Sequence, residues 1–174
     1  MTIITIDFEA SCLPRHGRSF PIEVGIAGDG MARSWLIRPH DRWFGWDWTV
    51  EAEALHGLSR ARIEAEGLPV ETVLAELGVA TAGRRVIADS LIDQYWLDTL
   101  AEAAGTVSPC RIEHVATLFD EQGADEARIA AAVDHADNSG AMRHRAAGDA
   151  LWLAALVDHL TGRVQPRPVL LAAQ

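Results

Sequence analysis

The chain has 174 residues, 49% hydrophobic and 23% charged, with two cysteines and a net charge of −10. That length suits one domain with a full core, and two cysteines make neither a disulfide framework nor a zinc site. All 15 basic residues are arginine, and the acidic balance argues against tight, sequence-blind binding to long DNA, which rests on phosphate neutralisation.

The first residues, Met-Thr-Ile-Ile-Thr-Ile-Asp, carry no basic region and no cleavage site, so they do not read as a secretory signal. No apolar run is long enough to cross a bilayer. The expected compartment is a reducing cytoplasm. Residues 2–7 alternate β-branched positions and predict a first strand. Residues 21–27 predict a second, Gly28-Asp29-Gly30 a turn, and residues 31–38 a third strand, giving an antiparallel meander. Residues 39–48 form a tryptophan-dense loop. Thr49 is placed to cap a short helix, with Glu51 and Glu53 in its first turn. Helical spacing follows at 59–66 and 70–77, then a short apolar strand at 84–88. Asp89 is placed to start a helix running to 104. A last strand is expected at 111–115, then helices at 124–137 and 146–160, the latter stopped by Gly162. The tail, 164–174, holds two prolines and is expected to be extended. This order describes an α/β sandwich on a mixed sheet.

Three segments carry candidate chemistry. Asp7-Phe8-Glu9 ends the first strand, and residues two apart on a strand share a face, so both acids project together. Side by side they repel and call for cations, and an oxygen-only set suits Mg²⁺ or Mn²⁺. Alone, such a pair is more often a solvated strand end. Asp89 and Asp93 lie one helical turn apart and can face one cleft. The plain alternative is a helix cap for Asp89 and a surface role for Asp93. In His144-Arg145-Ala146-Ala147-Gly148-Asp149, the aspartate stands on an otherwise apolar helix, where a charge is costly unless paired or bound to metal. His144 lies close enough to share its cleft.

In this order the three segments resemble the motifs of the DEDDh (DnaQ-like) exonucleases, of the ribonuclease H-like superfamily, across nearly the whole chain. Asp7 and Glu9 match the Asp-x-Glu of the first motif, Asp93 the aspartate of the second, and His144 with Asp149 the His-x₄-Asp of the third. Leu55-His56-Gly57-Leu58-Ser59 is similar to the His-Gly-Ile-Ser/Thr stretch of the family. One departure stands out. The family's second motif has asparagine four residues before its aspartate and an aromatic just before it, whereas here Asp89 and Ile92 stand there.

The resemblance implies a ribonuclease H-like fold with a five-stranded mixed sheet, an exonuclease domain over 1–163 and an extended tail over 164–174. It implies a 3′→5′ exonuclease that releases nucleoside 5′-monophosphates with two Mg²⁺ or Mn²⁺ ions. Asp7, Glu9, Asp93 and Asp149 would be the metal ligands and His144 the general base, with Asp89 in support. The strand end would meet Ala10, Ser11, His56 and Arg145, with Arg15, Arg18 and Arg143 as further phosphate contacts. Trp48 reads as a base-stacking platform, and Trp43 and Trp46 as structural. Glu23 reads equally as support for the cluster or as a solvent-facing residue. The partner implied is the 3′ end of single-stranded DNA or RNA. A homodimer, a polymerase partner and a non-catalytic binding or proofreading module are the open alternatives, and the apolar Val169-Leu170-Leu171 is a candidate docking segment.

Overall fold

The computed structural model describes residues 2–163 and 169–170. The chain opens with β1 (Ile3–Ala10), β2 (Pro21–Gly28) and β3 (Met31–Leu36), joined as the expected antiparallel meander. Asp29 and Gly30 make the β2–β3 hairpin turn, with φ of 52° and 75°. Positive φ at both central residues is what a two-residue turn needs to match the twist of the flanking strands.

Three helices follow: α1 (Val50–His56), α2 (Arg60–Glu66) and α3 (Val70–Thr81). Thr49 caps the first, its hydroxyl accepting from Ala52 N at 3.3 Å, and Ser59 caps the second, accepting from Arg62 N at 3.2 Å. Helix α3 runs through Gly78, four residues beyond the expected stop, and its last residue Thr81 is buried, with the hydroxyl donating to the Leu77 carbonyl at 2.8 Å. Tertiary burial here outweighs the low helix propensity of one glycine.

Next come β4 (Arg85–Ala88), α4 (Ile92–Ala103), β5 (Ile112–His114), α5 (Val115–Glu121), α6 (Glu126–Asp137), α7 (Ala146–Thr161) and β6 (Val169–Leu170). Two sequence expectations are corrected. Asp89 does not start α4: the chain turns through Ser90 and Leu91, and the Ser90 hydroxyl takes the Ile92 N–H at 3.3 Å. Helix α5 was not anticipated. It starts where the fifth strand ends, capped by the His114 ring, whose Nδ1 accepts from Ala116 N at 3.0 Å.

The strand order is β5-β4-β1-β2-β3-β6, with β1 parallel to β4 and antiparallel to β2. The first five strands are the mixed sheet expected from the sequence. The two-residue β6 extends it, pairing parallel to Met31 and Ala32 on the otherwise open edge of β3. The remainder of the 164–174 tail lies outside the described residues.

Alternation along β1 divides the core. Ile4, Ile6 and Phe8 enter one cluster with Val73, Leu77, Leu97 and Leu100 of α3 and α4. Ile3 joins the other with Leu118, Ala132, Leu153, Leu156 and Leu160 of α5, α6 and α7. The central strands are therefore covered on both faces. The Thr5 hydroxyl fastens α7 to the sheet, donating to the Ala150 carbonyl at 2.7 Å.

Candidate active site

Strands β1 and β4 pair only as far as Thr5 and Ile87. Past that point β1 continues to Ala10 with β2 alone, and a cleft opens beside Asp7, Phe8 and Glu9. Helix α4 enters it. Asp93 is 2% exposed, and its Oδ1 accepts the Phe8 backbone N–H at 3.1 Å, satisfying a donor that the sheet has released. Open α/β sheets place ligands at this kind of site, outside the carboxyl ends of strands where the order reverses.

Helix α7 closes the opposite side. Gly25, opposite Asp7 on β2, lies directly under the helix start: an added Cβ would sit 2.2 Å from the Ala146 carbonyl carbon and 2.3 Å from Ala147 N. Glu23, opposite Glu9, is 1% exposed. Arg145 grips it with Nε at 2.9 Å and Nη2 at 2.8 Å, Ala146 N donates at 3.2 Å, and the Ser34 hydroxyl donates at 2.9 Å. This buried pair locks the start of α7 onto β2 and so sets the place of Asp149. Gly148 allows the loop before the helix to lie against its first turn, since a Cβ there would fall 1.7 Å from the Met142 carbonyl oxygen. His144 adopts φ 63°, and its backbone N–H donates to Asp149 Oδ2 at 2.8 Å. Its ring is exposed at the rim.

The result is one continuous acidic cluster. Asp7, Glu9 and Asp149 bring carboxylate oxygens within 4.8 Å of one another, and Asp7, Asp89 and Asp93 do the same. Asp7 belongs to both groups. Burial, followed by Asp93, Glu9, Asp149 and Asp89, holds the Asp7 carboxyl well above its ordinary range. Burial, followed by Asp149 and Glu23, pushes Glu9 to about 8, against the pull of Arg145. Burial, followed by Asp89, pushes Asp93 to about 8, although the Phe8 N–H opposes this. Carboxylates held this way favour protons or cations between them.

No protein-family model matches the chain, and no curated protein matches it in sequence. Solved structures do match. Escherichia coli Exonuclease I bound to a dT13 oligonucleotide superposes with a TM-score of 0.62 at 12% identity, over 90% of this chain and 41% of that one. A full-length 3′-exonuclease gives 0.65 at 13% identity, over 92% of this chain and 81% of that one. Exonuclease I of Methylocaldum szegediense gives 0.61 at 15% identity, over 90% and 40%. The fold is that of these exonucleases. The chain spans about two fifths of the length of the Exonuclease I proteins it matches.

Within this exonuclease fold, four of the five residues singled out from sequence meet in the cluster: Asp7, Glu9, Asp93 and Asp149. The fifth, His144, stands beside it. Asp89, held in reserve, joins Asp7 and Asp93 from an exposed position. The expected strand contacts lie deeper than the sequence suggested. Ala10 is 8% exposed, Ser11 is fully buried with its hydroxyl accepting from Phe20 N at 3.1 Å, and Arg145 is turned to Glu23. His56 is 5% exposed, its Nδ1 accepting from Leu58 N at 3.0 Å, and burial lowers its pKa. Trp48 is half-buried, donating from Nε1 to Glu53 at 2.7 Å, with its ring edge-on to His56 at 6.2 Å. Trp43 stacks on Phe20 at 5.3 Å and belongs to the core. The sequence left Glu23 open between two roles. Its place opposite Glu9 is set by the β1–β2 register, and the long connection between those strands offers no tight turn from which to count it.

Proposed function

We propose that this protein is a 3′→5′ exonuclease that releases nucleoside 5′-monophosphates from a single-stranded end. The observation that carries the reading is Asp7, a half-buried carboxylate common to two acidic triads at the strand edge of an exonuclease fold. The donor set fits divalent metal. It consists of carboxylate oxygens alone, which suits hard ions such as Mg²⁺ and Mn²⁺, and burial together with neighbouring carboxylates disfavours the charged forms of Glu9 and Asp93 when no cation is between them. Asp7, Glu9 and Asp149 would hold one ion, and Asp7 with Asp93, assisted by Asp89, a second. Ions bound there would acidify water and offset charge on the phosphate.

The remaining chemistry falls to the chain's own side chains. His144, exposed at the rim, takes the proton from the attacking water, a role suited to an imidazole near neutral pH. Its backbone bond to Asp149 holds it beside the cluster. Trp48, next to the Thr49 N–H that donates to the Ser11 carbonyl at 3.0 Å just past β1, offers aromatic surface for unpaired bases. Single-stranded DNA is the first substrate to assay, since related structures bind dT13 and dA16.

The test is release of mononucleotides from matched 3′-labelled DNA and RNA oligomers, in Mn²⁺ or EDTA, by wild type, Asp7→Ala and His144→Ala. Activity in Mn²⁺ that disappears in EDTA and in Asp7→Ala supports the reading. Release that persists in either would overturn it.

A further inference from the structure

Beside the acidic cluster stands one cation that the proposed chemistry leaves unused. Arg143 places Nε 2.5 Å from Asp149 Oδ1, an ion pair without hydrogen-bond geometry. The other oxygen, Oδ2, already accepts the His144 N–H. Both oxygens of Asp149 are therefore engaged from within the chain. The guanidinium is also held from behind. Its carbon lies 4.3 Å from the centre of the Trp152 ring, and Trp152 Nε1 donates to Asp137 at 2.7 Å, which fixes the ring. Trp152 is one helical turn beyond Asp149 on α7, so stacking partner and carboxylate share a face. The charge of Arg143 also reaches Asp89, across the mouth of the cluster.

We propose that Arg143 is a resident counter-ion that competes with a divalent ion for Asp149, with Trp152 as the rest that keeps it there. The idea builds on the reading of the cluster as a metal site. Without metal, the five crowded carboxylates gain one positive charge at small cost, because the arginine is already held in place against an aromatic face. Loading an ion between Asp7, Glu9 and Asp149 requires Asp149 Oδ1 to exchange its partner. The guanidinium then leaves with its donors free at the rim of the cleft, where an anionic strand would enter. Metal uptake and strand uptake thereby favour one another, and such coupling is reciprocal.

The experiment is isothermal titration of the full chain with Mn²⁺ alone, in wild type, Arg143→Met, Trp152→Leu, Asp149→Asn and the Arg143→Met/Asp149→Asn double variant. The Arg143 side chain is 43% exposed, which makes its replacement tolerable for folding, and melting curves in EDTA provide the control. The expected result is Mn²⁺ affinity raised about 3- to 30-fold in Arg143→Met, the range spanned by exposed and charge-assisted pairs. Trp152→Leu should shift the same way by less, and Arg143→Met should have no effect once Asp149 is Asn. Equal or weaker affinity in Arg143→Met would overturn the proposal while leaving the metal site standing. A gain that persists in the Asp149→Asn background would overturn it as well, because general repulsion would then suffice. No Mn²⁺ binding in wild type or Arg143→Met would overturn both this proposal and the metal reading.

Discussion

Asp93 accepts the backbone N–H of Phe8, so the helix α4 carboxylate is tied to the strand that carries Asp7 and Glu9. One side chain thus closes the sheet where β4 ends and adds an acid to the cluster. The two roles separate by substitution. Asp93→Asn keeps an acceptor for Phe8 N and removes the titrating acid. Its melting temperature in EDTA should exceed that of wild type at pH 6 and by a wider margin at pH 9, because the wild-type acid stays protonated in the folded chain at growing cost, with mononucleotide release in Mn²⁺ lost at both. Asp93→Ala strands the Phe8 N–H and should be ~1–3 kcal/mol less stable than Asp93→Asn in urea unfolding at pH 6. Equal stability of the two variants at pH 6 would show that the bond carries no weight.

The raised carboxyls make stability depend on pH in a fixed direction. Glu9 and Asp93 have ordinary values of 4.5 and 3.8, and each is pushed to about 8 in the folded chain. Between those limits the folded state retains protons that the unfolded state has released, so their stabilising effect is complete at low pH and is lost as pH rises through 8. Melting temperature in EDTA should fall from pH 5 to pH 8.5. Mn²⁺ should raise it, most strongly at the alkaline end. Flat or rising stability over that window in EDTA would contradict this account of the cluster.

Glu23 and Arg145 form a pair that is 1% and 30% exposed at the two side chains. Breaking such a pair leaves a buried charge without compensation, at a cost of roughly 3–5 kcal/mol. Arg145→Met should show a loss on that scale in denaturant unfolding. The Glu23→Gln/Arg145→Met double variant should recover part of it. Full additivity of the two single losses would mean that the residues act independently.

His144 separates chemistry from folding. His144 is exposed, and alanine keeps a non-glycine residue at φ 63°, so His144→Ala should change melting temperature little. Rate should fall ~10²- to 10⁴-fold, as expected on removal of a general base. His144→Gly, relieved of that backbone strain, should be at least as stable and equally slow. Both variants should titrate Mn²⁺ like wild type, whereas a parallel loss of binding would move His144 from the base role to metal support.

What could be read from the sequence followed from short-range periodicity. Two-residue alternation put Asp7 and Glu9 on one face, and a single acid in an apolar helix marked Asp149. The meander was visible because Asp29-Gly30 names its turn. Relationships that depend on register over long separations were not visible. Arg145 grips Glu23 from 122 residues away, and from sequence it looked like a phosphate contact. Helix α5 carried no Ser, Thr, Asp or Asn to announce its start, since a histidine ring does that work. Asp89 looked like a helix cap because acids commonly are. Two further turn residues displaced it to the mouth of the cleft, within reach of Asp7 and Asp93.

The parting of β1 from β4 after Thr5 and Ile87 also has an engineering consequence. Because the cleft is made by divergence of two strands, its floor is carried by β1, which is hydrogen-bonded to neighbours on both sides up to Thr5. The Asp29-Gly30 hairpin lies at the other end of β2 from Glu23. An affinity tag or fluorescent reporter inserted there would sit remote from the acids, giving a handle for single-molecule work that leaves the acidic cluster undisturbed.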